Sequence, residues 1–236
     1  MKESWNLGMS FKDNATNQKE KRKRRNPFRY FLMDFIKVTG VLSAAIWIRP
    51  KRLFESKQAK KHARGRAVVI ANHTSIKDPI ALYFALWYRR VHVLAMKEIF
   101  ETKLGNWFFR KALCVPVDRN NFNMSTFREM SEILEGDGVL AIFPEGAIGR
   151  EKSTVQSFKS GAALIALKAR APIIPVYIAP SEKRYCQTVM VIGEPIDPIE
   201  ICGATPSLNA IDELSKKLRE KELKLMEIYS AWKERK

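Results

Sequence analysis

From about residue 55 onward, short apolar runs alternate with segments of helical period, and this alternation restricts the chain to an α/β architecture. Ala67–Ala71 is a continuous apolar run, the mark of a strand buried on both faces. Further strands are read at Val91–Ala95, Val115–Val117, Val139–Phe143, Ile173–Ile178 and Val189–Ile192. Between and after them, helical segments fall at Ile80–Tyr88, Trp107–Ala112, Met124–Leu134, Ser157–Arg170 and Leu208–Lys233. Strands alternating with helices predict a single α/β domain, its sheet mostly parallel and flanked by helices. Ligands of such sheets gather at the carboxyl ends of the strands. At 236 residues the chain is long enough for one such domain and an appended segment.

The appended segment is N-terminal. Residues 1–26 are polar and close on the basic run Lys19–Arg25, which reads as a solvated tail. Residues 27–54 read as a membrane-associating helical segment, with 55–236 as the α/β domain. The stretch Phe28–Ile48 has the length of a bilayer span, but Arg29, Asp34 and Lys37 interrupt it. Each such charge would cost about 2.5–3.5 kcal/mol near a bilayer centre. The expectation is a helix or hairpin dipping into one leaflet, with basic flanks at Arg22–Arg25 and at Arg49, Lys51 and Arg52. The competing reading is a helix packed on the domain core.

A formal net charge of +17 points to an anionic partner: an acidic membrane face, phosphorylated substrates or nucleic acid. Cys114, Cys186 and Cys202 have no metal-motif spacing and imply no disulfide framework. No glycine-rich nucleotide loop of either common type occurs, and residues 1–18 contain no signal-peptide apolar core.

The chemistry sits just beyond the strands. Asn72-His73-Thr74-Ser75-Ile76-Lys77-Asp78-Pro79 follows the first apolar run. An imidazole suits proton abstraction from an alcohol, and a carboxylate within reach can fix its tautomer. His73 and Asp78 are therefore the candidate catalytic pair. The plainer alternative makes Asp78 a cap for the helix that Pro79 begins. Arg119, after Val115–Val117, carries a planar fork that matches a phosphate, or else is an ordinary surface arginine paired with Asp118. Pro144 and Gly146 force a turn after Val139–Phe143 that would leave Glu145 projecting from the strand end. Pro172 and Pro175 bracket an apolar strand, which reads as an edge strand or a bend shaping a pocket wall.

In their order and at their places on one sheet edge, these blocks resemble the glycerolipid acyltransferase family, most closely the lysophosphatidic acid acyltransferases. The blocks are Asn72-His73 with Asp78, Asp118-Arg119, Phe143-Pro144-Glu145-Gly146 and Pro172-Ile173-Ile174-Pro175. Met96-Lys97-Glu98-Ile99, Gly105-Asn106-Trp107 and Phe158-Lys159-Ser160-Gly161 also look like the family, so the resemblance runs from about residue 65 to 195. It implies transfer of a fatty acyl group from acyl-coenzyme A or acyl-acyl carrier protein to the sn-2 hydroxyl of lysophosphatidic acid, giving phosphatidic acid in phospholipid biosynthesis. No cofactor beyond that co-substrate and no metal is expected. His73 would be the base and Asp78 its orienter. Arg119, Glu145, Gly146 and Lys97 would contact substrate, on the cytoplasmic face of an anionic membrane. Two departures stand out. Ala147-Ile148 replaces a Thr-Arg common after the Phe-Pro-Glu-Gly block, with Arg150 or Lys152 as the nearest substitutes. Leu113 replaces a glycine common six residues before the motif arginine. Two alternatives remain: another acceptor, such as glycerol 3-phosphate or a different lysolipid, or a non-catalytic basic protein binding membrane or nucleic acid. The resemblance argues against nucleic acid as the partner.

Overall fold

The computed structural model describes residues 35, 48–61, 64–118, 124–148, 155–180, 187–203 and 207–235. Arg119, Arg150, the tail 1–26 and all of 27–47 but Phe35 lie outside them, so the membrane-segment reading falls there too. Among the described residues no helix is long and apolar enough to cross a membrane.

The strands are β1 Lys51–Phe54, β2 Ala67–Ala71, β3 Val91–Met96, β4 Cys114–Val117, β5 Val139–Ile142, β6 Ile173–Ile178 and β7 Val189–Ile192. The helices are α1 Asp78–Ala85, α2 Lys103–Lys111, α3 Met124–Glu135, α4 Gly161–Ala169, α5 Pro198–Cys202 and α6 Leu208–Glu234, with a 3₁₀ turn at Lys97–Phe100. One sheet takes the order β1-β7-β6-β2-β5-β3-β4. All its pairings are parallel except β6 with β7.

Because β2 is central, the apolar runs belong to two cores. Val68 and Ile70 face α3, α4 and α6, while Ala67, Val69 and Ala71 face α1. All five β2 residues are fully buried, as an uninterrupted apolar run requires. At about 25 cal/mol per Å² of apolar surface, each buried Ile or Leu of these cores contributes roughly 1.5–3 kcal/mol.

Two expectations change. The sheet begins at Lys51, inside the segment assigned to 27–54, because β1 pairs with β7 along Lys51↔Val189 to Phe54↔Ile192. Four residues with two charges carry too little pattern to read as a strand without that partner. The second change concerns β6, which is an interior strand buried along its length and not an edge. Its Pro175 is tolerated because its carbonyl accepts from Gly193 N at 2.9 Å. A strand residue's N–H and C=O point the same way, so the missing donor faces the place just past β7 where that ladder ends.

Leu113 turns into β4 with φ +60°, in the left-handed region that glycine enters without strain. The family glycine that this chain lacks falls on this residue. Leu113 holds the conformation while buried at 8% exposure, so apolar burial offsets the strain.

Candidate active site

The end of β2 is locked first. Asn72 is 3% exposed; its Nδ2 donates to Ile178 O at 2.9 Å and its Oδ1 accepts from Ile178 N at 2.7 Å. The side-chain amide thus continues the sheet ladder to β6 and fixes where the chain leaves the sheet. The next residue, His73, is held from two sides. Its Nδ1 lies 3.0 Å from Asp78 Oδ2, and its ring stacks on Phe143 at 4.2 Å and 22°. The β2–β5 register, Ile70↔Ile142, brings Phe143 opposite this exit.

Asp78 opens α1, but its carboxylate does not cap that helix. Oδ2 accepts from Thr74 N at 2.6 Å and Ser75 N at 2.7 Å as well as facing His73. The two backbone N–H groups fix that oxygen in place as an acceptor. Proton placement on His73 follows from this: an Nδ1–H donates to Asp78, leaving Nε2 with its lone pair for an incoming hydroxyl. The His73 side chain keeps 11% of its surface open and that of Asp78 only 3%, so the imidazole is reachable and the carboxylate is not.

Glu145 does not project. It is 8% exposed and folds back, Oε2 accepting from His73 N at 3.4 Å and Oε1 from Gln156 N at 3.2 Å. Burial pushes its carboxyl above the usual range, while the Gln156 and His73 N–H groups and the His73 ring pull it down. Turn chemistry correctly placed the bend, with Gly146 at φ +75°. The inward aim came from unpaired backbone donors that no sequence pattern displays.

One of those donors, Gln156 N, belongs to a stretch that α6 holds. Arg219 Nε donates to Gln156 O at 3.0 Å and Val155 O at 3.2 Å, and Nη2 donates to Val155 O at 3.0 Å. A chain of contacts therefore runs from Arg219 through Gln156 and Glu145 to the backbone of His73. One turn further along α6, Glu222 is fully buried with both oxygens lacking a partner among the described residues. Burial, with the nearby Glu145 charge, raises its carboxyl well above the ordinary range.

The cations lie at the same edge. Lys97 Nζ pairs with Asp118 Oδ2 at 2.5 Å, which ties the end of β3 to the residue before Arg119. Lys159 crosses Gly146: a Cβ there would sit 3.1 Å from its Nζ and Cε. Gly146 thus leaves room for an ammonium beside the bend. Phe143, Lys159, Gln156 and Arg219 are the site residues that sequence reasoning assigned no role. Phe143 and Lys159 had a visible cue, their places in the Phe143–Gly146 block and the Phe158–Gly161 stretch, and Gln156 and Arg219 had none.

A family model described as Acyltransferase matches residues 52–179, more than half the chain, and takes in His73, Asp78, Glu145 and Lys159. The chain belongs to the acyltransferase family. The 1-acyl-sn-glycerol-3-phosphate acyltransferase of Bacillus subtilis is 29% identical over 166 residues, covering 67% of this chain and 82% of that one. The protein of that description from Streptococcus pneumoniae is 31% identical over 140 residues, covering 57% and 51%. A solved structure, the 1-acyl-sn-glycerophosphate (LPA) acyltransferase PlsC from Thermotoga maritima, has the same fold with a TM-score of 0.62 at 22% identity. That alignment covers 92% of this chain and 88% of the other. Within the acyltransferase domain, His73, Asp78 and Glu145 are all buried at one strand-end edge.

Proposed function

We propose that this acyltransferase moves a fatty acyl group from a thioester donor to the sn-2 hydroxyl of lysophosphatidic acid, giving phosphatidic acid at a membrane surface. The observation that carries the reading is the His73–Asp78 pair at 3.0 Å, with Nε2 left to a substrate and no nucleophilic side chain needed. The relatives' description as 1-acyl-sn-glycerol-3-phosphate acyltransferases supports the choice of acceptor.

The acceptor O–H gives its proton to His73 Nε2 as the oxygen attacks the thioester carbonyl. Asp78 offsets the imidazolium that forms. Collapse of the tetrahedral adduct breaks the C–S bond, and the imidazolium returns the proton to the departing thiolate. The products are an ester and a free thiol, either coenzyme A or the thiol of acyl carrier protein. Arg119 grips the acceptor phosphate. Lys159, over Gly146, and Arg150 take the place of the arginine this chain lacks after its Phe-Pro-Glu-Gly block. Lys97 holds Asp118 beside Arg119, and Glu145 acts through the backbone by setting the His73 turn. The 28–48 segment and its basic flanks bring the site to the cytoplasmic face of an anionic membrane.

The test is an acceptor panel with acyl-coenzyme A and acyl-acyl carrier protein side by side, on the full chain and on His73→Ala. Lysophosphatidic acid should be the best acceptor, and His73→Ala should lower its rate by about 10²–10⁴-fold, the range of a general base. A variant keeping more than about a tenth of the rate removes His73 from the mechanism. A better rate on glycerol 3-phosphate or another lysolipid replaces the acceptor.

A further inference from the structure

Leu104, Trp107 and Phe108 are 75%, 53% and 44% exposed. Spaced i, i+3 and i+4, they share one face of α2. The helix packs by another face. A Cβ on Gly105 would lie 2.5 Å from the Ile99 carbonyl oxygen, and Phe109 meets Phe100 at 5.8 Å. No residue of α2 is buried. Among the described residues the helix therefore lies on the surface with its largest apolar side chains turned outward, a face that none of them covers.

The surroundings narrow what covers it. Met96, at the carboxyl end of β3, is 38% exposed, and Ile76, between His73 and Asp78, is 81% exposed. Both belong to the edge that holds the site. The helix contains Lys103, Arg110 and Lys111 and no acidic residue. Acidic groups nearby are Glu98 and Glu101 on the preceding turn, and Glu129, which pairs with Arg110. Large apolar groups on one face with lysine and arginine beside them are the composition of a helix lying in a lipid interface. The net charge of +17 favours an anionic surface and opposes pairing with a second, equally charged copy.

We propose that α2 is an interfacial helix whose Leu104–Trp107–Phe108 face enters the surface of an anionic phospholipid bilayer, holding the mouth of the site against the leaflet. This rests on the reading that the acceptor is a membrane lipid, and it places a membrane contact on the α/β domain itself, apart from residues 28–48.

The experiment compares the full chain with L104S/W107S/F108S and with Trp107→Phe, on vesicles of phosphatidylcholine and phosphatidylglycerol. The exposed positions leave the circular dichroism spectrum unchanged. Partition of the triple variant into vesicles should fall about tenfold or more. Trp107→Phe should remove part of the tryptophan emission quenched by brominated lipid. Acyl transfer to bilayer-embedded acceptor should fall with partition, while transfer to a short-chain acceptor below its micelle concentration stays constant. Unchanged partition and quenching overturn the proposal, as expected if residues 28–47 cover the face. So does a loss of self-association on sizing with no change in vesicle binding, which assigns the face to a second copy. If partition falls but no acyl transfer is seen with any acceptor, the docking surface stands and the acceptor reading fails.

Discussion

Asp78 and Glu222 are both buried carboxylates on helices, with opposite consequences. Asp78 Oδ2 gathers two backbone N–H groups and an imidazole, whereas Glu222 has no partner among the described residues. Asp78→Asn keeps the shape but exchanges the charge that holds the imidazolium, so kcat should drop by about a hundredfold or more. Steady-state rates on a soluble short-chain acceptor would show it, with little change in acceptor KM. Glu222 is predicted to destabilise. An unpartnered buried polar group costs about 1–3 kcal/mol, so Glu222→Leu should raise the unfolding free energy by a similar amount. The pH dependence has a definite sign. The folded carboxyl is raised, so the native state holds more protons than the unfolded chain between the ordinary and the raised value. Stability then falls as pH rises through that window, and Glu145, also raised by burial, adds to the same trend. Thermal melts at pH 5 and pH 8 should show a larger loss for the natural chain than for Glu222→Gln. Equal losses would mean that Glu222 is not buried as described.

At the scale of elements, the long helix α6 is more than a cover for the sheet. Its buried stripe, Ile211, Leu214, Ser215, Leu218, Glu222 and Leu225, follows helical spacing and packs on the core. Its Arg219 reaches past that stripe to hold the 155–156 backbone, and through it Glu145 and His73. Arg219→Ala should lower kcat several-fold while acceptor KM changes little, with partial rescue by Arg219→Lys. A purely structural role would instead lower the melting temperature and leave the kcat of the folded fraction intact. The β6–β7 corner makes a second test. A Cβ on Gly193 would lie 2.7 Å from Pro175 Cγ and 3.2 Å from Leu225 Cδ1. Gly193→Ala should therefore destabilise by about 1–3 kcal/mol through overpacking, read from denaturant unfolding.

For the whole molecule, charge and site act together. On the proposed function, a surplus of +17 would draw the chain to anionic lipid and polyanionic thioester donors to it. Raising the salt from 50 to 500 mM should reduce the rate on anionic vesicles much more than on a soluble acceptor. Equal losses would remove steering from the account. Lys159→Ala should raise the KM for lysophosphatidic acid and leave that for an uncharged acceptor unchanged.

The order of β2 to β7 with α1 to α4 and α6, the mostly parallel sheet and the strand-end placement of His73, Asp78 and the Phe143–Gly146 bend were legible in the sequence. Apolar runs, helical spacing and turn residues act locally, and a parallel sheet then has one functional edge. What only the tertiary structure decided depends on partners distant in the chain. Lys51–Phe54 is a strand because β7 is there to pair with it. Pro175 sits in an interior strand because its missing donor meets the end of a ladder. Glu145 points inward because His73 and Gln156 present N–H groups that need an acceptor. A buried polar group takes its direction from whatever donors the fold brings within reach, and those donors lie 72 and 11 residues away along the chain.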